Sequence, residues 1–327
     1  MKLTKKYHVI CLFVMALLTV SCNNDDDSDE YGNWVESSTF DGDSRGNAVS
    51  FTIGDKGYLI TGHDGDDYLN DTWEYNSEFD YWVKRADFPG NARSGAVGFA
   101  LNGKGYIGTG YDGFDELNDF WEYDPDTNQW AQKADFIGSP RFGAIGFSVN
   151  GYGYIGTGDD GSEQKDFYKY DATTDTWEQL VGFGGEKRKD AAVFVINDVA
   201  YIGTGTNDGA VEYDFYSFDG TTWTKLTDLD DDDLDEDIVF YSSAGFALNG
   251  KGYLATGLQG AVSNECWEYD PSTDSWDEMP NFEGSSRQDA SAFSFDSKAY
   301  VLMGRSGNYY FDDVWEFRPD ELENEDD

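Results

Sequence analysis

Five arginines recur at one fixed place in this chain. Arg45, Arg93, Arg141, Arg188 and Arg287 each stand 17 residues ahead of a glycine (Gly62, Gly110, Gly158, Gly205 and Gly304), and Phe240 takes the same place before Gly257. A guanidinium is a rigid fork of donors that grips a carboxylate bidentately. A repeated fork has two uses: an anion site around a common mouth, or a clamp on the chain's own loop aspartates. Repetition at equivalent places favours the clamp. The residue directly after each glycine differs every time: His63, Tyr111, Asp159, Thr206, Leu258 and Arg305. One-off positions on a repeated frame are where specificity is expected. His63, Tyr111, Asp159 and Arg305 therefore join the five arginines and Phe240 as candidate ligand-binding residues. Tyr111, Phe114, Tyr309 and Tyr310 could stack on sugar rings, with loop packing as the alternative.

Acidic loops carry the other chemistry. Asp64, Asp66, Asp67 and Asp71 lie in one loop, and Asp112, Asp115, Glu116 and Asp119 in the next. These are hard oxygen ligands of the kind calcium takes. No loop follows the EF-hand pattern, and Asp71 and Asp119 recur as part of the repeat, so a solvated acidic face is the expected reading and calcium the alternative. No other cofactor is expected. No nucleophile elbow, phosphate loop or metal-ligand spacing occurs.

The bulk composition narrows the partners. The chain has 327 residues with 22 Lys plus Arg against 65 Asp plus Glu, a formal charge of −43. Phosphate backbones and anionic headgroups would repel it, which excludes a nucleic-acid binder and a membrane-surface binder. Aromatics at 17% exclude a disordered chain.

Lys2, Lys5 and Lys6 precede an apolar run from Val9 to Val20 that ends at Ser21-Cys22. That is the layout of a secretory signal, and the run is too short to span a bilayer, which needs about 20 apolar residues. Thr19-Val20-Ser21-Cys22 resembles a bacterial lipobox, which implies cleavage after residue 21 and lipidation of Cys22. The acidic tether 22–30 resembles the tract that sends some Gram-negative lipoproteins to the cell surface. The expected address is the outer membrane, lipid-anchored, on the surface. Only Cys266 then remains in the folded part, as a buried small hydrophobe rather than a nucleophile.

The elements that must position these residues are repeats. The terminal glycines fall at intervals of 48, 48, 47, 52 and 47 residues, and a Tyr precedes each by four: Tyr58, Tyr106, Tyr154, Tyr201, Tyr253 and Tyr300. One Trp or Tyr series runs through Trp73, Trp121, Tyr168, Tyr216, Trp267 and Trp315, a second through Trp82, Trp130, Trp177, Trp223 and Trp276. The last repeat lacks its second Trp, but Trp34 stands 48 before Trp82, so the N-terminal segment completes repeat six. A chain whose first strand finishes its last repeat is a closed ring, which removes exposed sheet edges. Each repeat reads as four strands, with Asn102-Gly103, Asn150-Gly151 and Asn249-Gly250 as type I′ hairpin turns. The expected limits are 31–318 for the ring and 319–327 for an acidic tail. All ten tryptophans occupy repeat positions and serve packing. The second-third and fourth-first loops share one face, and they are the long ones, where ligand-bearing residues are expected.

Asn70-Asp71-Thr72-Trp73 and Asn118-Asp119-Phe120-Trp121, then Tyr123-Asp124-Pro125 and Trp130, resemble the kelch-repeat family, with Thr-Gly standing in a divergent subgroup for the family's Gly-Gly. The resemblance implies an all-β, six-bladed β-propeller of four-stranded blades. The family includes galactose oxidase and N-acetylneuraminate epimerase, so it also implies that enzymes must be weighed. Copper-radical chemistry is excluded, since one mature His and a Cys inside a strand cannot build that site. Acid–base work on an acidic sugar would need only a general acid and base, to which His63, Asp159 and the arginines could contribute. The leading expectation is a non-enzymatic binding module for a glycan or protein ligand; an acidic-sugar epimerase or mutarotase, or a purely structural propeller, are the alternatives.

Overall fold

The computed structural model describes residues 31–231 and 237–324. The expected signal peptide, Cys22 and the tether to residue 30 lie outside the described residues.

Six antiparallel four-stranded sheets follow one another around an axis, in the order inner to outer along the chain. Blade two is typical, with strands Val97–Leu101, Lys104–Gly108, Phe120–Asp124 and Gln129–Gln132. The hairpin turn after its inner strand uses positive φ at both residues, 53° at Asn102 and 75° at Gly103, as a type I′ turn requires. Blade six takes Ser291–Ser294, Ala299–Leu302 and Val314–Leu322 from the C-terminal end and Tyr31–Glu36 from the N-terminal end. Trp34 pairs with Phe317, and Glu36 with Trp315, so the ring closes as expected. The third strand continues to Leu322, past the expected end at 318. Pro319 lacks an N–H for the ladder, and the pairing steps past it at an irregularity between Tyr31 and Asn33.

The core lies between blades. Inner-strand rings stack on the Tyr of the neighbouring strand, as Phe99 on Tyr106 at 5.7 Å and Phe147 on Tyr154 at 5.4 Å. The next blade leaves them room: a methyl added at Gly105 would overlap Phe51, and at Gly153 would overlap Phe99. Outer tryptophans tie blades together, with Trp130 Nε1 donating to Ala86 O and Trp177 Nε1 to Ala134 O, both at 3.0 Å. Trp34 is fully buried and meets Phe282 edge-on at 5.0 Å. Cys266 is buried in the third strand of blade five, and burial pushes its thiol pKa well above the usual range.

Trp34→Ala removes the ring that locks the closing strand, and the expected cost is about 3–5 kcal/mol of unfolding free energy. Urea denaturation of the variant beside the native chain measures it.

Candidate functional site

Around the axis a circle of backbone hydrogen bonds joins the blades. Gly95 N–H donates to Asn47 O, Gly143 to Gly95, Asp190 to Gly143, Ser242 to Asp190, Asp289 to Ser242 and Asn47 to Asp289, at 2.9–3.1 Å. The six bonds form a closed circle with one residue from each blade. All six residues have positive φ, from 52° at Asn47 to 61° at Gly143. Each stands two residues after a repeat arginine or Phe240, and each is Asn, Gly, Asp or Ser. Gly, Asn and Asp, five of the six, tolerate the left-handed region best, which is the signal by which this ring could have been found in the sequence.

The circle frames a throat of about 130 Å³ at one end of the central channel. Beyond it the channel, about 500 Å³, is walled by small neutral residues of the inner strands, among them Ser50, Ala100, Gly146 and Ser294. On the loop side the throat opens into a funnel of about 500 Å³, lined by Ser94, Tyr111, Phe142, Tyr241, Gln288 and Arg305 above Asp190 and Asp289. Short antiparallel bridges build the funnel's rim. They join Gly46 to His63, Ser94 to Tyr111, Phe142 to Asp159, Lys189 to Thr206, Tyr241 to Leu258 and Gln288 to Arg305. The one-off positions and the residues after the repeat arginines thus face one another, blade by blade.

The five arginines sit elsewhere. Arg45, Arg93, Arg141, Arg188 and Arg287 are 0% exposed. Arg93 is representative: Nε donates to Asn91 O at 2.9 Å, Nη1 to Thr109 O at 2.9 Å and to Asp119 Oδ1 at 2.5 Å, and Nη2 to Asp119 Oδ2 at 2.9 Å. The pairs Arg45–Asp71, Arg141–Asp166, Arg188–Asp214 and Arg287–Asp313 repeat the arrangement. Each guanidinium also lies over a Phe ring, at 4.9 Å for Phe88 beneath Arg93. Trp73, Trp121 and Trp315 donate to the same aspartates from the other side. These forks clamp each blade's third strand to its entry loop, and four or all five of the N–H groups of Arg45, Arg93, Arg141 and Arg287 are already spent. The idea of an exposed arginine ring around the channel mouth gives way to this geometry. In blade five Phe240 packs with Leu229, Ile238 and Trp267, and Glu265 replaces the clamped aspartate. The cation is lost while a carboxylate stays, half-buried and accepting from Trp267 Nε1 at 3.4 Å, so no charge is left fully buried and unpaired.

The one-off residues fare differently. Arg305 Nε and Gln288 Nε2 both donate to Asp289 Oδ2, at 2.6 and 3.0 Å. Lys189 Nζ binds Asp159 Oδ2 at 2.6 Å and lies 5.3 Å from the Phe142 ring centre. His63 accepts the Gly65 N–H at 3.0 Å through Nδ1 and meets Tyr68 edge-on at 4.7 Å. The acidic loops cap themselves: Asp64 accepts the amides of Asp66 and Asp67 at 2.8 and 2.7 Å, and Asp112 those of Phe114 and Asp115 at 3.0 and 2.9 Å. Among the described residues no three His, Cys, Asp or Glu side chains converge as a metal would need.

Asp190 is the residue missed in the sequence that the geometry brings forward. It lines both throat and funnel, and its carboxylate accepts no hydrogen bond from a described residue. Burial, and then the negative charge of Asp289, push its pKa up to about 7; Lys189 pulls the other way, and Asp159 and Glu163 add to the rise.

The arrangement is a kelch-like six-bladed β-propeller with a funnel over its channel. No family model matches the chain, and no curated protein does. A solved structure entitled "Structure of YjhT" matches with a TM-score of 0.73 at 15% identity, over 84% of this chain and 95% of that one. At that identity the likeness is one of fold.

Two outcomes are expected. Arg93→Ala strands a partly buried Asp119 and costs about 3 kcal/mol or more, with Arg93→Ala/Asp119→Ala costing less than the sum of its parts in a double-mutant cycle. Asp190 holds its proton more tightly folded than unfolded, since its pKa rises from the ordinary 3.8 to about 7. The stability this confers is full below the unfolded value and is lost as pH rises through the folded one. Asp190→Asn removes that slope. Its melting temperature minus that of the native chain therefore grows between pH 4 and 7 and is level above pH 8.

Proposed function

We propose that this protein is a binding module for a sugar-sized ligand, taken in the funnel above the throat and presented at the cell surface by lipid on Cys22. One observation carries the reading: Tyr111, Phe142 and Tyr241 stand around a concavity of about 500 Å³ whose floor and rim hold Ser94, Gln288, Arg305, Asp190 and Asp289. Aromatic rings beside convergent polar groups suit a pyranose, whose faces are apolar and whose edge is hydroxyl. A concave space of this size suits a small ligand better than the flat patch a protein partner needs.

A second reading is acid–base chemistry on an acidic sugar, as an epimerase or mutarotase. It is favoured by Asp190, whose pKa near 7 matches what a general acid or base needs at neutral pH. Exchange between the anomers of a sialic acid, followed by NMR, tests it; a rate equal to the buffer's eliminates it.

The binding reading is tested by thermal shift with neutral, acidic and amino sugars. A ligand that binds only the fold raises the melting temperature by mass action. Tyr111→Ala is expected to weaken the binding sugar about fivefold or more, the loss of a ring contact worth roughly 1 kcal/mol. A flat panel would speak for a structural role. Chelator is expected to leave the melting temperature unchanged, because the loop aspartates already cap amides.

A further inference from the structure

We propose that the throat is an ammonium site: the funnel's ligand carries a protonated amine, which sits between Asp190 and Asp289. This rests on the reading of the funnel as a sugar-sized binding site and names the class of sugar.

The unused acceptors of two carboxylates lead there. All six ring N–H groups are consumed by ring carbonyls, so none of these six is left for an anion. Arg305 is engaged by Asp289, and Lys189 by Asp159. Arg305 and Gln288 share Asp289 Oδ2, and Oδ1 of Asp289 accepts no hydrogen bond from a described residue. Asp190 accepts none at either oxygen. Asp190 and Asp289 thus bring unused carboxylate oxygen to the throat, and what satisfies it is a group with several N–H donors.

The charge count agrees. The carboxylates of Asp190, Asp289, Asp159 and Glu163 face two cations, Lys189 and Arg305. Burial first, and then the neighbouring carboxylates, raise the proton affinity of Asp190, so the site takes up a proton when no other cation is there. A ligand ammonium would supply the missing charge. The rings of Tyr111, Phe142 and Tyr241 favour a cation further, and Lys189 already lies over Phe142 in this way. An anionic sugar would bring a like charge to the same floor.

Calorimetric titration of the native chain at pH 7 with glucosamine, N-acetylglucosamine, glucose and N-acetylneuraminate tests the proposal. Glucosamine is expected to bind at least tenfold more tightly than the other three. At pH 5.5 Asp190 is protonated, and the amine sugar is expected to bind about tenfold more weakly while the neutral sugars hold their affinity. Asp190→Asn, with cooperative melting confirmed, is expected to bring glucosamine down to the affinity of N-acetylglucosamine. The pH arm needs no variant and stands even where the variant misfolds. Equal binding of amine and acetylated sugars, tightest binding of the acidic sugar, or a preference that survives in Asp190→Asn would overturn the ammonium site and leave the sugar funnel standing. Silence from every sugar would overturn both.

Discussion

The propeller is pinned to its axis by a circle of six backbone hydrogen bonds, each from the N–H of one blade to the carbonyl of the next. The circle has no free end, so a change in the tilt of any blade strains bonds on both of its sides. Its members must take positive φ, and that backbone reversal turns each chain from its entry loop into the inner strand. Everything that faces the funnel is measured from this ring: the bridged rim one residue before it, the small-residue channel wall just after it.

The arginine clamps serve the same frame one layer out. Their donors go to the carbonyls of Thr61, Thr109, Thr157, Thr204 and Met303, all with φ near 60°. A branched residue is poorly suited to that region, and its buried carbonyl is held there by a fully desolvated cation. Thr256 takes the same φ, 62°, in blade five where Phe240 replaces the arginine, so the clamp supports this geometry without being required for it. With the guanidinium forks closed on aspartates, the funnel's character is left to the residues beside the ring, and these leave carboxylate in excess.

Much of this was legible in the residues. Trp34, 48 before Trp82, announced ring closure, because outer-strand packing demands a Trp at that register. Asn-Gly pairs marked the hairpins, because few other pairs accept two positive φ angles in succession. The arginine spacing marked a shared role, and the clamp rather than the rim is where the side chains went. The throat was hidden for a physical reason: it is made of amides, which every residue carries. Only the restriction to Asn, Gly, Asp and Ser two places after each arginine or Phe240 records it. Asp190 belongs to no motif, and its chemistry arises from burial and then from Asp289, which is 99 residues away in the chain and two blades away around the ring. Pro319 read as the end of a strand, whereas the ladder accommodates it by an irregularity.

The central claim is that the ligand sits in the funnel above the amide circle. A crystal structure of the protein grown with the tightest-binding sugar of a panel tests this most directly. Sugar density against Tyr111 and Tyr241, with a polar group reaching Asp190, is the expected result. Density confined to the hairpin face, at the far end of the channel, would contradict the account.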